Sequence, residues 1–346
     1  MTRRRWAIPY LLLAPGILWL VLFFVLPSIQ MFVMSLSTQS GGSGLTRHYE
    51  FTWAWQNYVN AITDFPDQFA NSLIFGGMAT LLCLLIGYPL AYGIAFRGGR
   101  YKTFLLFLVI APFFTSFLIR TISWKIILGN DGAFLSIIRD VLGIVPPNFS
   151  ILGTPLAVIL GLTYEFLPFM VLPLYVSLEK IDRRLVEAAQ DLYAGPWQRG
   201  GALTGGVLGG VLAVGSMAAF GYLPLGLVQL PGILFVFVIG AGVGAAIATL
   251  LVSESFTKVI FPLSLSGVFA GSILTFIPAI GDYVNAELLG NPKTQMIGNV
   301  IQNQYLQQNN YPTASALSFL LMAGILIAIF IYARSLGTDE LTGGAG

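Results

Sequence analysis

Two carboxylates set in apolar surroundings are the side chains of this sequence best placed to do chemistry. Glu165 lies in Thr163-Tyr-Glu-Phe-Leu-Pro168, midway along an otherwise uncharged tract, and Asp282 follows another such tract at Ile280-Gly281. On insertion scales an ionised carboxylate at the middle of a bilayer costs roughly 2.5–3.5 kcal/mol, so such a group is seldom idle. Two anions suit a path for a cation, and the ring faces of Tyr164, Trp124 and Tyr283 nearby attract cations as well. The competing role is structural: Glu165 or Asp282 pairs with Arg120 or Lys125 and only holds helices together. Arg120 itself is expected near the outer end of its helix, snorkelling toward the interface.

Other chemistries lack their residues. Cys83 is the only cysteine and His48 the only histidine, so a disulfide or a Cys/His metal cluster has no ligand set. Cys83 sits in an apolar run, and His48 in a polar loop where solvation is expected. There is no phosphate-binding glycine loop; Gly129-Asn-Asp-Gly132 reads as an ordinary turn. The chain therefore cannot hydrolyse ATP itself, and no cofactor or metal is expected in it. A net charge of +2 is too small to suggest nucleic acid.

Composition says what must position these groups. Of 346 residues, 56% are hydrophobic and 9% charged, against about 25% charged in a soluble domain. Tracts with few or no charges run over 7–36, 71–96, 104–127, 152–177, 200–253, 259–281 and 313–333. The fifth is far longer than the ~20 residues one crossing needs, so it is expected to fold back near Gly221 to Pro231. The count is then about eight membrane helices in an all-α polytopic protein. Arg3 to Arg5 precede the first tract, which is read as a retained helix rather than a cleaved signal. Arg97, Arg100, Lys102, Lys180, Arg183, Arg184, Arg199, Lys258 and Arg334 then fall on the same side as Arg3 to Arg5. By the positive-inside rule that side is the cytoplasm, with both termini on it. Pro27, Pro89, Pro112, Pro168, Pro173 and Pro278 lie within spans, where each frees a carbonyl or merely marks irregular packing.

The polar stretch from Asp182 to Gln198 reads as one short amphipathic helix over 183–194. Asp182 caps it, Leu185, Ala188/Ala189 and Leu192 share a face, and Gly195-Pro196 ends it. The tract at 200–253 carries Gly205/Gly209, Gly206/Gly210 and Gly240/Gly244 pairs, which permit close helix contact. This hairpin is expected either to pack outside the core or to serve as a regulatory, lipid or partner contact.

The loop with Glu187-Ala188-Ala189 resembles the coupling loop of ABC-importer permeases. Further stretches are similar to the spermidine/putrescine branch of that family: Asn71 to Tyr92, Ala111 to Trp124, Leu167 to Tyr175, and Phe276 to Val284 continuing to Asn299. The resemblance covers nearly the whole chain except roughly 199–255. It departs at Tyr193, where the family has glycine, and at the hairpin inserted into the coupling loop. The resemblance implies a six-helix permease core with an added two-helix hairpin: 1–198 core, 199–255 hairpin, 256–346 core. It implies a prokaryotic plasma-membrane translocation subunit, not an enzyme. Its partners would be a dimer of ATPase subunits holding ATP and magnesium, a second permease, an external substrate-binding protein and membrane lipid. Coupling to the ATPase falls on Glu187, Ala188, Ala189, Asp191 and Gly195, and a polyamine path on Glu165, Asp282, Tyr164, Trp124 and Tyr283. Two alternatives stand beside it: a permease for another small substrate, and a non-coupling accessory or regulatory membrane subunit.

Overall fold

A computed structural model describes residues 13–42, 47–132, 136, 149–192 and 256–335. Five helices among them are long and apolar enough to cross a membrane, and a sixth crossing exists if one sharply bent pair counts as a span. The expected hairpin at 200–253 lies outside the described residues, as does Gly195. The other six hydrophobic tracts all carry helix.

The helices are α1 (Leu13–Ser35), α2 (Gln56–Asp64), α3 (Pro66–Arg97), α4 (Gly99–Phe114), α5 (Phe117–Leu128) and α6 (Pro155–Glu179). They continue with α7 (Arg183–Leu192), α8 (Phe256–Gly281), α9 (Val284–Leu289), α10 (Ile297–Gln302) and α11 (Tyr311–Ser335). One departure from an all-helical chain is a small antiparallel ribbon, β1 (Ser37–Gly41) with β2 (His48–Phe51). His48 is exposed on it.

The chain divides into two compact units. In the first, the Leu36 carbonyl accepts from the backbone N–H groups of Thr52 and Ala54, which ties the foot of the ribbon to the end of α1. Asn57 on α2 donates to the carbonyls of Ser35 and Ser37. Ala61, Ile297, Val300, Ala316 and Leu317 form the buried cluster of this unit.

The second unit, from Asn71 to Met296, is built around α6. Thr154 caps it by accepting from the Ala157 N–H, and Pro155 occupies the first turn, where a missing N–H costs nothing. An apolar helix buried on most sides needs small partners, and α8 supplies them. A Cβ on Gly267 would fall 2.5 Å from Ser177 Cβ, and one on Gly271 would fall 2.8 Å from Met170 Sδ. The Gly267-x-x-x-Gly271 pair thus sets a close α6–α8 crossing. On α3, Gly87 faces Met170 and Val171 in the same way. Tyr88 bonds Ser264 at 2.6 Å, and buried Cys83 donates to the Thr163 carbonyl.

This unit has two distinct ends. At one, Lys102 pairs with Glu179 at 3.2 Å, and Val186 of α7 joins Phe256 and Ile260 of α8 in the core. At the other, Asn71 donates to the carbonyls of Lys293 and Gln295, while Leu128, Ile151, Ala157 and Leu289 cluster. The turn at Asn291 is internally closed. Its side chain accepts from the N–H groups of Lys293 and Thr294, Thr294 Oγ1 accepts from its N–H, and its amide reaches the Gly153 carbonyl. The Gly129–Gly132 segment is the expected turn, closed by a 2.8 Å backbone bond.

Candidate functional site

The tract at 104–127 does not form one straight helix. After Ala111-Pro112 the chain tightens, Thr115 is extended, and α5 leaves α4 at 93°. Pro112 lacks the N–H that would continue the ladder, and Ser116 starts the next helix from a non-helical conformation. No charged residue falls at the bend, which is why apolar length alone reads as a single span.

The bend moves Arg120. Far from snorkelling, its side chain is 10% exposed and its Nη2 lies 2.6 Å from Oε1 of Glu165, itself 2% exposed. This is an ion pair by distance rather than an aligned hydrogen bond, and Arg120 Nε is buried with no hydrogen-bond partner. The guanidinium also lies 5.1 Å from the centre of the Phe113 ring, which sits before the break. Of the two roles open to Glu165, the pairing with Arg120 is therefore present.

Asp282 closes α8 and is 8% exposed. Its Oδ1 accepts from the Asn285 N–H at 2.8 Å and its Oδ2 from the Asn285 amide at 3.4 Å, so it caps α9. Burial pushes its carboxyl up to about 6, and the two bonds from Asn285 pull the other way without overcoming it. The Asp282 and Glu165 charges lie within electrostatic reach of each other. Asn285 in turn lies against α6 at Gly161, where a Cβ would come 2.8 Å from its Oδ1.

Trp124 and Tyr164 meet edge to face with ring centres 5.3 Å apart. Pro168 lacks the N–H that would bond the Tyr164 carbonyl, so that oxygen beside Glu165 is released from the ladder. Tyr283 is 42% exposed. The structure thus brings Glu165, Trp124 and Tyr164 to the α5–α6 contact and sets Asp282 within reach of their charge. Arg120 is the member that sequence reasoning assigned elsewhere. Its signal was present in Pro112 and Thr115-Ser116, which interrupt the tract four to eight residues earlier.

At the opposite end, α7 forms over Arg183–Leu192 with Asp182 Oδ1 accepting from the Arg184 N–H at 3.0 Å. The face turned to the core is that of Val186, 5% exposed, not that of Leu185, which is 53% exposed. Glu187 and Ala188 are exposed too. Ala189 and Asp191 lie in the helix. An amphipathic helix that anchors by one valine and leaves Leu185 and Ala188 outward offers an unfilled apolar edge beside a carboxylate.

The family of binding-protein-dependent transport system inner membrane components matches residues 252–335. The spermidine/putrescine transport system permease protein PotB of Haemophilus influenzae is 34% identical over 92% of this chain and 90% of its own length. PotB of Escherichia coli is 31% identical over 92% and 94%. The inner membrane ABC transporter permease YdcU of Escherichia coli is 25% identical over 79% and 72%. These relatives are transport permeases, and the several long apolar helices make this chain a multi-pass membrane protein. With its helical core and a relative above 30% identity along nearly its whole length, the chain belongs to the ABC permeases that form the inner-membrane component of binding-protein-dependent transport systems.

Proposed function

We propose that the chain is the translocation subunit of a polyamine importer. The observation that carries this is the 34% identity to a spermidine/putrescine permease along 92% of the chain. The buried carboxylates Glu165 and Asp282 agree with it, since a polyamine is a multiply charged cation in need of anionic partners in low dielectric. Trp124, Tyr164 and Tyr283 add ring faces for its ammonium groups and methylene chain.

ATP hydrolysis belongs to partner ATPase subunits, and α7 is the element that docks on them. Glu187, Ala188, Ala189, Asp191 and Gly195 supply the contact. A second permease completes the pathway, and an external binding protein delivers substrate. Arg97, Arg100, Lys102, Lys180, Arg183, Arg184 and Lys258 lie at or beyond the ends of α3, α4, α6, α7 and α8, and the positive-inside rule favours the cytoplasm for that side. Both termini follow on the same side if 199–255 crosses twice.

Co-purification with the cognate ATPase, second permease and binding protein tests the assignment. Glu187→Arg is expected to leave the membrane subunits assembled while abolishing polyamine-stimulated ATP hydrolysis. Stimulation that survives this charge reversal removes α7 from the coupling role.

A further inference from the structure

We propose that Arg120 is a tethered stand-in for the substrate: its guanidinium holds Glu165 until a polyamine ammonium takes its place, and α5 then turns about the break at Thr115-Ser116. This rests on the polyamine assignment.

Charge is the first support. Glu165 and Asp282 bring two negative charges within reach of each other, and Arg120 is the one cation ion-paired with either of them among the described residues. Lys125, one turn further along α5, is exposed. With both carboxylates ionised the cluster is short of one positive charge, the charge of one ammonium. A bare buried carboxylate is strongly disfavoured, so a path that emptied Glu165 before substrate arrived would face a high barrier. Exchanging one cation for another keeps Glu165 compensated throughout.

The hold on Arg120 suits exchange. A guanidinium carries five N–H donors, yet this one meets Glu165 at a single close distance and leaves its buried Nε without a partner. A pair built only for rigidity would use the bidentate fork that arginine and carboxylate favour. Phe113, on the α4 side of the break, lies under the guanidinium at 5.1 Å and offers a ring face to which it stays attracted when Glu165 is given up.

The backbone supplies the pivot. Thr115 is extended, with φ −102° and ψ 150°, between Phe114 and the start of α5, so few torsions need change to re-aim the helix. Trp124 rides on the same helix against Tyr164 of α6, so a turn of α5 opens the aromatic contact as it frees the carboxylate.

The test uses the complete transporter in lipid, with spermidine as the probe and wild type in parallel. Arg120→Gln is expected to raise ATP hydrolysis in the absence of spermidine by about fivefold, the low end of common coupling ratios. Arg120→Lys, which keeps the cation, is expected to restore the quiet basal state. Unchanged or lowered basal activity in Arg120→Gln overturns the proposal, and so does a lysine variant that behaves like glutamine. Should Arg120→Gln fail to assemble, the exchange Arg120→Glu with Glu165→Arg keeps the pair but moves the carboxylate onto the turning helix. An assembled, unstimulated exchange variant supports the proposal, whereas restored spermidine stimulation reduces the pair to a clamp and overturns it. A wild-type transporter deaf to spermidine is a different failure, that of the substrate assignment itself.

Discussion

Asp282 carries a pH signature that sets it apart from its neighbours. Its carboxyl is raised to about 6 by burial, against an ordinary value of 3.8. Above pH 6 it is ionised and can attract a cation; as pH falls through 6 it protonates and that attraction fades. The folding consequence has the opposite sign. A carboxylate raised in the folded state costs stability while ionised, and the cost is relieved as pH falls through 6, so lost transport there is not acid unfolding through this group. Wild type is expected to show a rising KM for polyamine uptake below pH 6, with Asp282→Asn starting weaker and lacking that step. Identical pH profiles for the two would remove Asp282 from the substrate path. Glu165 could be found from sequence because an acid inside an apolar tract stands out. Its partner could not, because Arg120 reads as a near-terminal residue on any straight helix through 104–127, and only the bend turns it inward.

At the level of helices, glycine decides how closely the core packs. Gly271 lies where a Cβ would come 2.8 Å from Met170 Sδ and 3.0 Å from the Met170 carbonyl oxygen, and the latter is backbone that cannot swing aside. Gly271→Leu is therefore expected to force α8 off α6 and destabilise the fold by about 1–3 kcal/mol, seen as a lower unfolding midpoint in detergent. Gly324, where an added Cβ meets nothing within 4 Å, is the matched control. Equal midpoints for Gly271→Leu and Gly324→Leu would show that the crossing is not tight. The glycine spacing was visible in the sequence, but nothing local said that Gly267 and Gly271 would meet α6. The amphipathic pattern of α7 was legible too, and its cap at Asp182 is present. The residue that turns to the core, Val186, could not be told from Leu185 by sequence, since both are apolar and only packing with Phe256 and Ile260 chooses between them.

Across the whole chain, the residues on either side of 193–255 lie together. Val186 of α7 and Phe256 and Ile260 of α8 share one cluster at the basic end of the second unit. Hydropathy made the six other tracts legible because each needs about 20 apolar residues. The β1–β2 ribbon was not legible: its strands are short, polar and flanked by glycine, and they pair because Leu36 and Asn57 hold their foot. Whether this chain forms the path for a polyamine is decided by ATP-driven uptake of labelled spermidine into proteoliposomes holding this chain, its partner permease, the ATPase and the binding protein. Uptake that requires ATP and this chain, and falls at least tenfold with Glu165→Gln, about 1.4 kcal/mol, is expected. A fully assembled transporter that moves no polyamine, or moves it equally well with Glu165→Gln, would contradict the account.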